Sequence, residues 1–179
     1  MSQRSSVPVS PPPRMESPRD HFLKVYEEEH ARTMRVLRAY PKDKAELRPH
    51  PKSKTARELA WMFVIEQDAV EKALTTGFDW ANPSSPPGVP DSLDTILSAF
   101  EKGHKHVAGM ISALRDDELF ETVSFPTGPG RITDMPKIQF LRLMLHDQIH
   151  HRGQFSVYLR TAGGQVPAIY GPSADERWF

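Results

Sequence analysis

Nine consecutive residues near the end of the chain, His146-Asp147-Gln148-Ile149-His150-His151-Arg152-Gly153-Gln154, concentrate the side chains able to hold a cation or move a proton. Two pairs within this run stand four residues apart, a spacing that places both members on one face of a helix. Asp147 and His151 form the first pair, a carboxylate and an imidazole that can share a proton or ligate one divalent ion. His146 and His150 form the second, and two imidazoles at this spacing can converge on one cation, as in helical zinc sites. The chain has no cysteine. Disulfides, thiolate nucleophiles and thiolate ligands are therefore excluded, and any metal here must be bound through nitrogen and oxygen.

On a helical wheel Phe140, Met144, Asp147, His151, Gln154 and Tyr158 follow one another at alternating steps of four and three. Arg142, Gln148, Arg152, Ser156 and Arg160 gather on the opposite side. Asp147, His151 and Gln154 thus interrupt a core stripe, and an ionised carboxylate buried there without a partner costs several kcal/mol. Asp147 accordingly calls for a cation, a hydrogen-bonded histidine or water. The His146/His150 pair is rotated toward Leu143 and Val157, and the wheel leaves open which pair faces the interior. Two further carboxylates, Glu29 and Glu66, sit in the middle of apolar stripes on earlier helices, where something positive between the helices is expected. The plain alternatives are a buried hydrogen-bonded Asp-His pair, a chance pair of surface histidines, and carboxylates at the rim of the core.

The elements that position these residues follow from pattern and punctuation. Residues 1–17, with the run Pro11-Pro12-Pro13 and almost nothing to bury, are expected to form a flexible tail, and residues 18–179 a single domain. Ser17-Pro18-Arg19-Asp20 is a helix start, and Pro41 stops this first helix near Tyr40. Thr55-Ala56-Arg57-Glu58 matches a capping box that opens a second helix. After a Pro- and Ser-rich connection over Asn82 to Pro90, a third helix is expected from about Asp91. Gly103 and Gly109 in this third helix suggest close approach of another helix, since each costs roughly 1 kcal/mol relative to Ala. Thr122-Val123-Ser124-Phe125 and Arg131-Ile132-Thr133 can pair as a short hairpin, and a last helix is expected from near Thr133 to Gly163-Gly164. The predicted fold class is all-α, a four-helix bundle with a short β-hairpin before the last helix.

Lys and Arg number 23, as do Asp and Glu, and no block of like charge occurs, so nucleic acid and anionic membranes are not the expected partners. No apolar run is long enough for a membrane span and no secretory signal can be argued, which gives a cytoplasmic location as the expectation.

At His151-Arg152-Gly153-Gln154, continued by Phe155 to Arg160 and closed by Val166-Pro167-Ala168-Ile169-Tyr170-Gly171, the chain resembles the DinB/YfiT-like metalloenzyme superfamily. The resemblance extends to Arg48-Pro49-His50-Pro51 and Thr55-Ala56-Arg57-Glu58-Leu59-Ala60, and covers about residues 19 to 172. It implies a four-helix bundle, often homodimeric, that holds a divalent metal through three histidines. One of those comes from the second helix and two from the fourth at i and i+4. Carried over position by position, the motif histidine is His151, the residue four before it is Asp147, and the second-helix ligand falls at Met62. Two of the three usual ligands are therefore not histidine, and a thioether is a poor ligand for Zn²⁺ or Ni²⁺. A rebuilt site would use Glu66, one turn beyond Met62, with Asp147 and His151, or would slide to His146 and His150.

The resemblance further implies a metal-dependent transferase, thiol-dependent in some members, or a hydrolase, with Ni, Zn, Mn or Fe as cofactor and a small molecule as substrate. The competing expectation is a non-catalytic bundle whose metal site has degenerated at Met62 and which binds a small molecule or partner protein.

Overall fold

The computed structural model describes residues 16–83 and 85–179. The tail expected over residues 1–17 falls almost wholly outside them. Ser17 is inside, and its hydroxyl accepts the Asp20 N–H as the N-cap of α1 (Pro18–Arg38). The capping box forms as expected. Thr55 Oγ accepts from the Glu58 N–H while the Glu58 carboxylate accepts from the Thr55 N–H, opening α2 (Ala56–Leu74). Ser92 caps α3 (Leu93–Ala113). The hairpin is longer than expected, with β1 (Thr122–Gly128) antiparallel to β2 (Arg131–Pro136). The last helix, α4 (Lys137–Thr161), consequently begins at Lys137 and not near Thr133. Met135 precedes a proline, whose ring disfavours helical geometry in the residue before it, so Thr133 to Pro136 extend and pair instead. Gly163, at φ +80°, ends α4 in the left-handed conformation that glycine adopts without penalty.

Two apolar clusters build the core. One joins Leu37, Tyr40, Leu59, Phe63, Ile96 and Phe155, and the other joins Phe22, Tyr26, Val70, Ile111, Phe140 and Met144. Their membership sets the direction of every helix: α1 and α4 run one way, and α2 and α3 run the other. The parallel pair α2 and α3 is joined by the long Pro-rich crossover. Between the two apolar clusters lies a layer of buried polar residues, Glu29 and Thr33 from α1, Glu66 and Gln67 from α2, His104 from α3, and Gln148 and Arg152 from α4. The chemistry lies in this layer.

Of the two glycines in α3, Gly103 alone shows the expected close approach, because a Cβ there would collide with the Gln67 side-chain oxygen. Gly109 faces open space. Among the described residues no helix is long and apolar enough to cross a membrane. Trp178 and Phe179 are exposed at the end of the chain.

Candidate metal centre

Glu66 from α2 and Asp147 and His151 from α4 converge, one ligand atom of each lying within 4.8 Å of the other two. Among the described residues no other group of three His, Asp or Glu side chains meets in this way. His151 Nδ1 is 2.5 Å from Glu66 Oε1; with the proton on Nδ1 the imidazole donates, leaving Nε2 with its lone pair. Glu66 is only 4% exposed, and its second oxygen, Oε2, is buried without a hydrogen-bond partner. Phe63 stands edge-on to the imidazole.

Burial pushes the Glu66 carboxyl up to about 7, opposed by the hydrogen bond and charge of His151 and reinforced by Asp147, through its negative charge and through a hydrogen bond that only the protonated pair can make. The Glu66 hydrogen bond in turn raises His151, against the effect of burial. Both groups therefore hold their protons more tightly than free side chains do. A divalent cation would satisfy the same demand: it would fill the role of those protons, neutralise two carboxylates and give Glu66 Oε2 a partner. The donors are one nitrogen and carboxylate oxygens, a set that suits Mn, Fe, Zn or Ni.

His146 and His150 are exposed and stand outside this group. They line a separate groove of about 450 Å³ together with Phe125, Leu143, Met144 and Asp147, and His150 Nε2 lies 2.9 Å from the Gln154 amide nitrogen, which donates to it. The interior therefore receives the Asp147/His151 pair. Met62 is half-buried one turn before Glu66.

Glu29 does find something positive between the helices, and it is a side chain. Arg152, 2% exposed, places Nη1 at 2.7 Å from Glu29 Oε2, while Tyr170 Oη donates to the same carboxylate oxygen and accepts from Arg152 Nη2, both at 2.6 Å. Arg32 adds a further contact to Glu29 Oε1 at 2.7 Å. The helical wheel had put Arg152 and Gln148 on the polar side, and both are buried. The missed signal is a second stripe, Leu141, Leu145, Gln148, Arg152, Phe155 and Leu159, with the same alternating spacing as the first. With two neighbouring apolar stripes, α4 buries a wide face. Gln154, assigned to the core stripe, is exposed.

A further buried cluster lay hidden in the pattern of α3. His104 follows Phe100 by four residues and precedes Val107 by three, which marks it as a core position. Its ring stacks on His30 at 3.6 Å between centroids, and its Nε2 is 2.8 Å from Glu27. Burial, with the neighbouring His104 second, drives His30 down to about 3, so the His30 ring is uncharged at neutral pH.

Comparison with known proteins agrees with this architecture. The chain is 29% identical over 161 residues to the uncharacterised protein YrdA of Bacillus subtilis strain 168, covering 88% of this chain and 90% of that one. The crystal structure of a DinB-like protein from Bacillus cereus superposes with a TM-score of 0.70 at 26% identity, covering 83% of this chain and 95% of that one. A second DinB-like protein, YjoA of Bacillus subtilis, shares the fold at a TM-score of 0.64 and 15% identity, over 89% and 99% of the two chains. Since the family model for DinB matches residues 15–177, nearly the full length, the chain belongs to the DinB family.

Proposed function

We propose that Glu66, Asp147 and His151 hold a divalent metal and that the protein is a metal-dependent enzyme acting on a small molecule by group transfer or hydrolysis. The observation that carries this reading is the convergence of the three ligand atoms around a buried carboxylate oxygen that lacks a partner. Bound there, the ion would serve as a Lewis acid that lowers the pKa of a thiol or water. The chain's own contribution is positional. Glu66 orients the His151 ring, Phe63 walls one side of it, and the Arg152-Glu29-Tyr170 network fixes α4 against α1 one residue further on. His151 lines one groove and Asp147 the other, so the centre has two approaches from solvent.

Titrating tag-free protein with Mn²⁺, Zn²⁺, Ni²⁺ and Fe²⁺, with elemental analysis of the protein as purified, tests the assignment. Stoichiometric uptake that Glu66→Gln abolishes supports it; no uptake of any of the four ions overturns it. The second reading, a non-catalytic bundle with a degenerate site, is favoured by Met62 at the position where the family resemblance places a histidine. On that reading Met62→His creates an affinity for Zn²⁺ or Ni²⁺ that the parent lacks, and unchanged affinity counts against it. A homodimer is part of the proposal, resting on the family resemblance, with exposed Leu143 and Val157 on the outer side of α4 as apolar surface for a second copy to cover. Sedimentation showing only monomer at micromolar concentration would refute the dimer.

A further inference from the structure

The loop leading into α2 carries Arg48, His50, Lys52 and Lys54 between Leu47 and Thr55, and no carboxylate. All four side chains are exposed. Arg48, Lys52 and Lys54 close no ion pair among the described residues. The nearest acids in sequence are already engaged: Glu46 pairs with Arg57 at 2.6 Å, and Glu58 accepts the Thr55 N–H at 2.6 Å in the capping box. Lys54 is nonetheless well placed, because its carbonyl accepts a 3.0 Å hydrogen bond from the Tyr158 hydroxyl and the next residue caps α2. Its backbone is tied to α4 while its ammonium closes no ion pair among the described residues and acts only at longer range on the Glu58 carboxylate.

Lys54 belongs to the wall of a groove of about 520 Å³, with Pro49 and Ser53 beside it and His151, Gln154 and Tyr158 from α4 also lining it. The charge of Lys54 acts across this space on the His151 ring. Glu58, the carboxylate on which Arg48 and Lys54 act, offsets only part of the positive charge of the loop, and the concave low-dielectric wall of the groove focuses the remainder.

From this juxtaposition we infer that the groove takes a small anionic molecule, its carboxylate or phosphate group paired with Lys54 and its reactive end laid against His151. The inference rests on the metal reading for the reaction, but the anion site follows from the groove and loop alone, and the two are separable by experiment.

The test is a titration of ¹⁵N-labelled full-length protein, metal-free and metal-loaded, with succinate in one arm and inorganic phosphate in the other, followed by amide chemical shifts. Expected are shifts concentrated at Ser53, Lys54, Gln154 and Tyr158 in metal-free protein. Lys54→Gln is expected to weaken binding roughly three- to fivefold, the range for one solvent-accessible charge pair, and high salt to weaken it further. Lys42→Gln, which removes an exposed lysine paired with Asp94 elsewhere, leaves it unchanged. The relative strength of the two arms identifies the preferred anion. Shifts scattered over the surface, or equal affinities in the parent and Lys54→Gln, overturn the inference. Anion binding that depends on Lys54 in a protein that takes up no metal supports the inference and refutes the metal reading; metal uptake without localised anion shifts does the reverse.

Discussion

Glu66→Gln changes one atom of the candidate centre and removes its most perturbed titration. In the parent the Glu66 carboxyl titrates near 7 when folded, against the ordinary 4.5. Folding therefore takes up a proton between these two values, and the contribution of Glu66 to stability falls as pH rises through that window. It levels off above the folded value. At about 1.4 kcal/mol per pH unit, the loss between about pH 5 and pH 8 amounts to about 2 to 3 kcal/mol. His151 acts with the same sign: its raised pKa gives stability that is present below its unfolded value and lost as pH climbs through the folded one. Glutamine fills the same space without titrating, so metal-free Glu66→Gln is expected to be more stable than the parent at about pH 8. At about pH 5 the two are expected to be much closer. Urea unfolding at both pH values in EDTA measures the difference of differences, which cancels the other histidines. A divalent ion at a hundredfold excess over its Kd is expected to restore about 2.7 kcal/mol to the parent at the higher pH and nothing to the variant. Parallel pH profiles for parent and variant would show that Glu66 is not held protonated by burial, and the electrostatic case for a cation would fall with it.

Three further outcomes follow from the polar layer. Arg152→Met leaves Glu29 buried with Arg32 and Tyr170 as remaining partners and is expected to cost about 3 kcal/mol, with Glu29→Leu in the same chain recovering part of it; full additivity in a double-mutant cycle would contradict a direct pair. Gly103→Ala forces a methyl group into the buried Gln67 side chain, whose Nε2 donates to Phe100 O at 3.0 Å, and should destabilise by about 1 to 2 kcal/mol, while Gly109→Ala meets nothing and should stabilise by up to about 1 kcal/mol; equal denaturation midpoints for the two would be inconsistent with the packing. His30 is depressed to about 3, so its contribution is present above the ordinary 6.5 and lost as pH falls toward 3; His30→Phe is expected to flatten the acid limb of the stability profile by about 2 kcal/mol near pH 4.5, and an unchanged acid limb would rule out a neutral buried imidazole.

Much of the frame was legible because it is written in local chemistry. Ser17, the Thr55/Glu58 box and Gly163 mark helix ends through hydrogen bonds and backbone conformations that depend on a few neighbouring residues, and these needed no tertiary information. The apolar periodicity of the first three helices likewise names their buried faces. The hairpin was recognised but shortened, because Thr133 to Pro136 read equally well as the first turn of a helix. Pairing with Thr122 to Phe125 decides in favour of extension.

The candidate site was legible as a list of residues and not as a place. Asp147, His151 and Glu66 were named from stripe interruptions and His146 and His150 from their spacing, and nothing within one helix ranks two pairs that differ by a single residue of rotation. Wheel analysis also failed for Arg152, since a long cationic side chain on a helix is ordinarily solvated, and only a carboxylate from α1 and a hydroxyl from the C-terminal segment make its burial tolerable. The sequence by itself therefore determined the helices, their caps and the residues that interrupt their apolar faces, because those depend on local spacing. The tertiary structure decided which interruptions meet. Glu29 found an arginine, Glu66 found an imidazole and a second carboxylate, and the difference lies in which turns of α1, α2 and α4 the bundle sets at the same height.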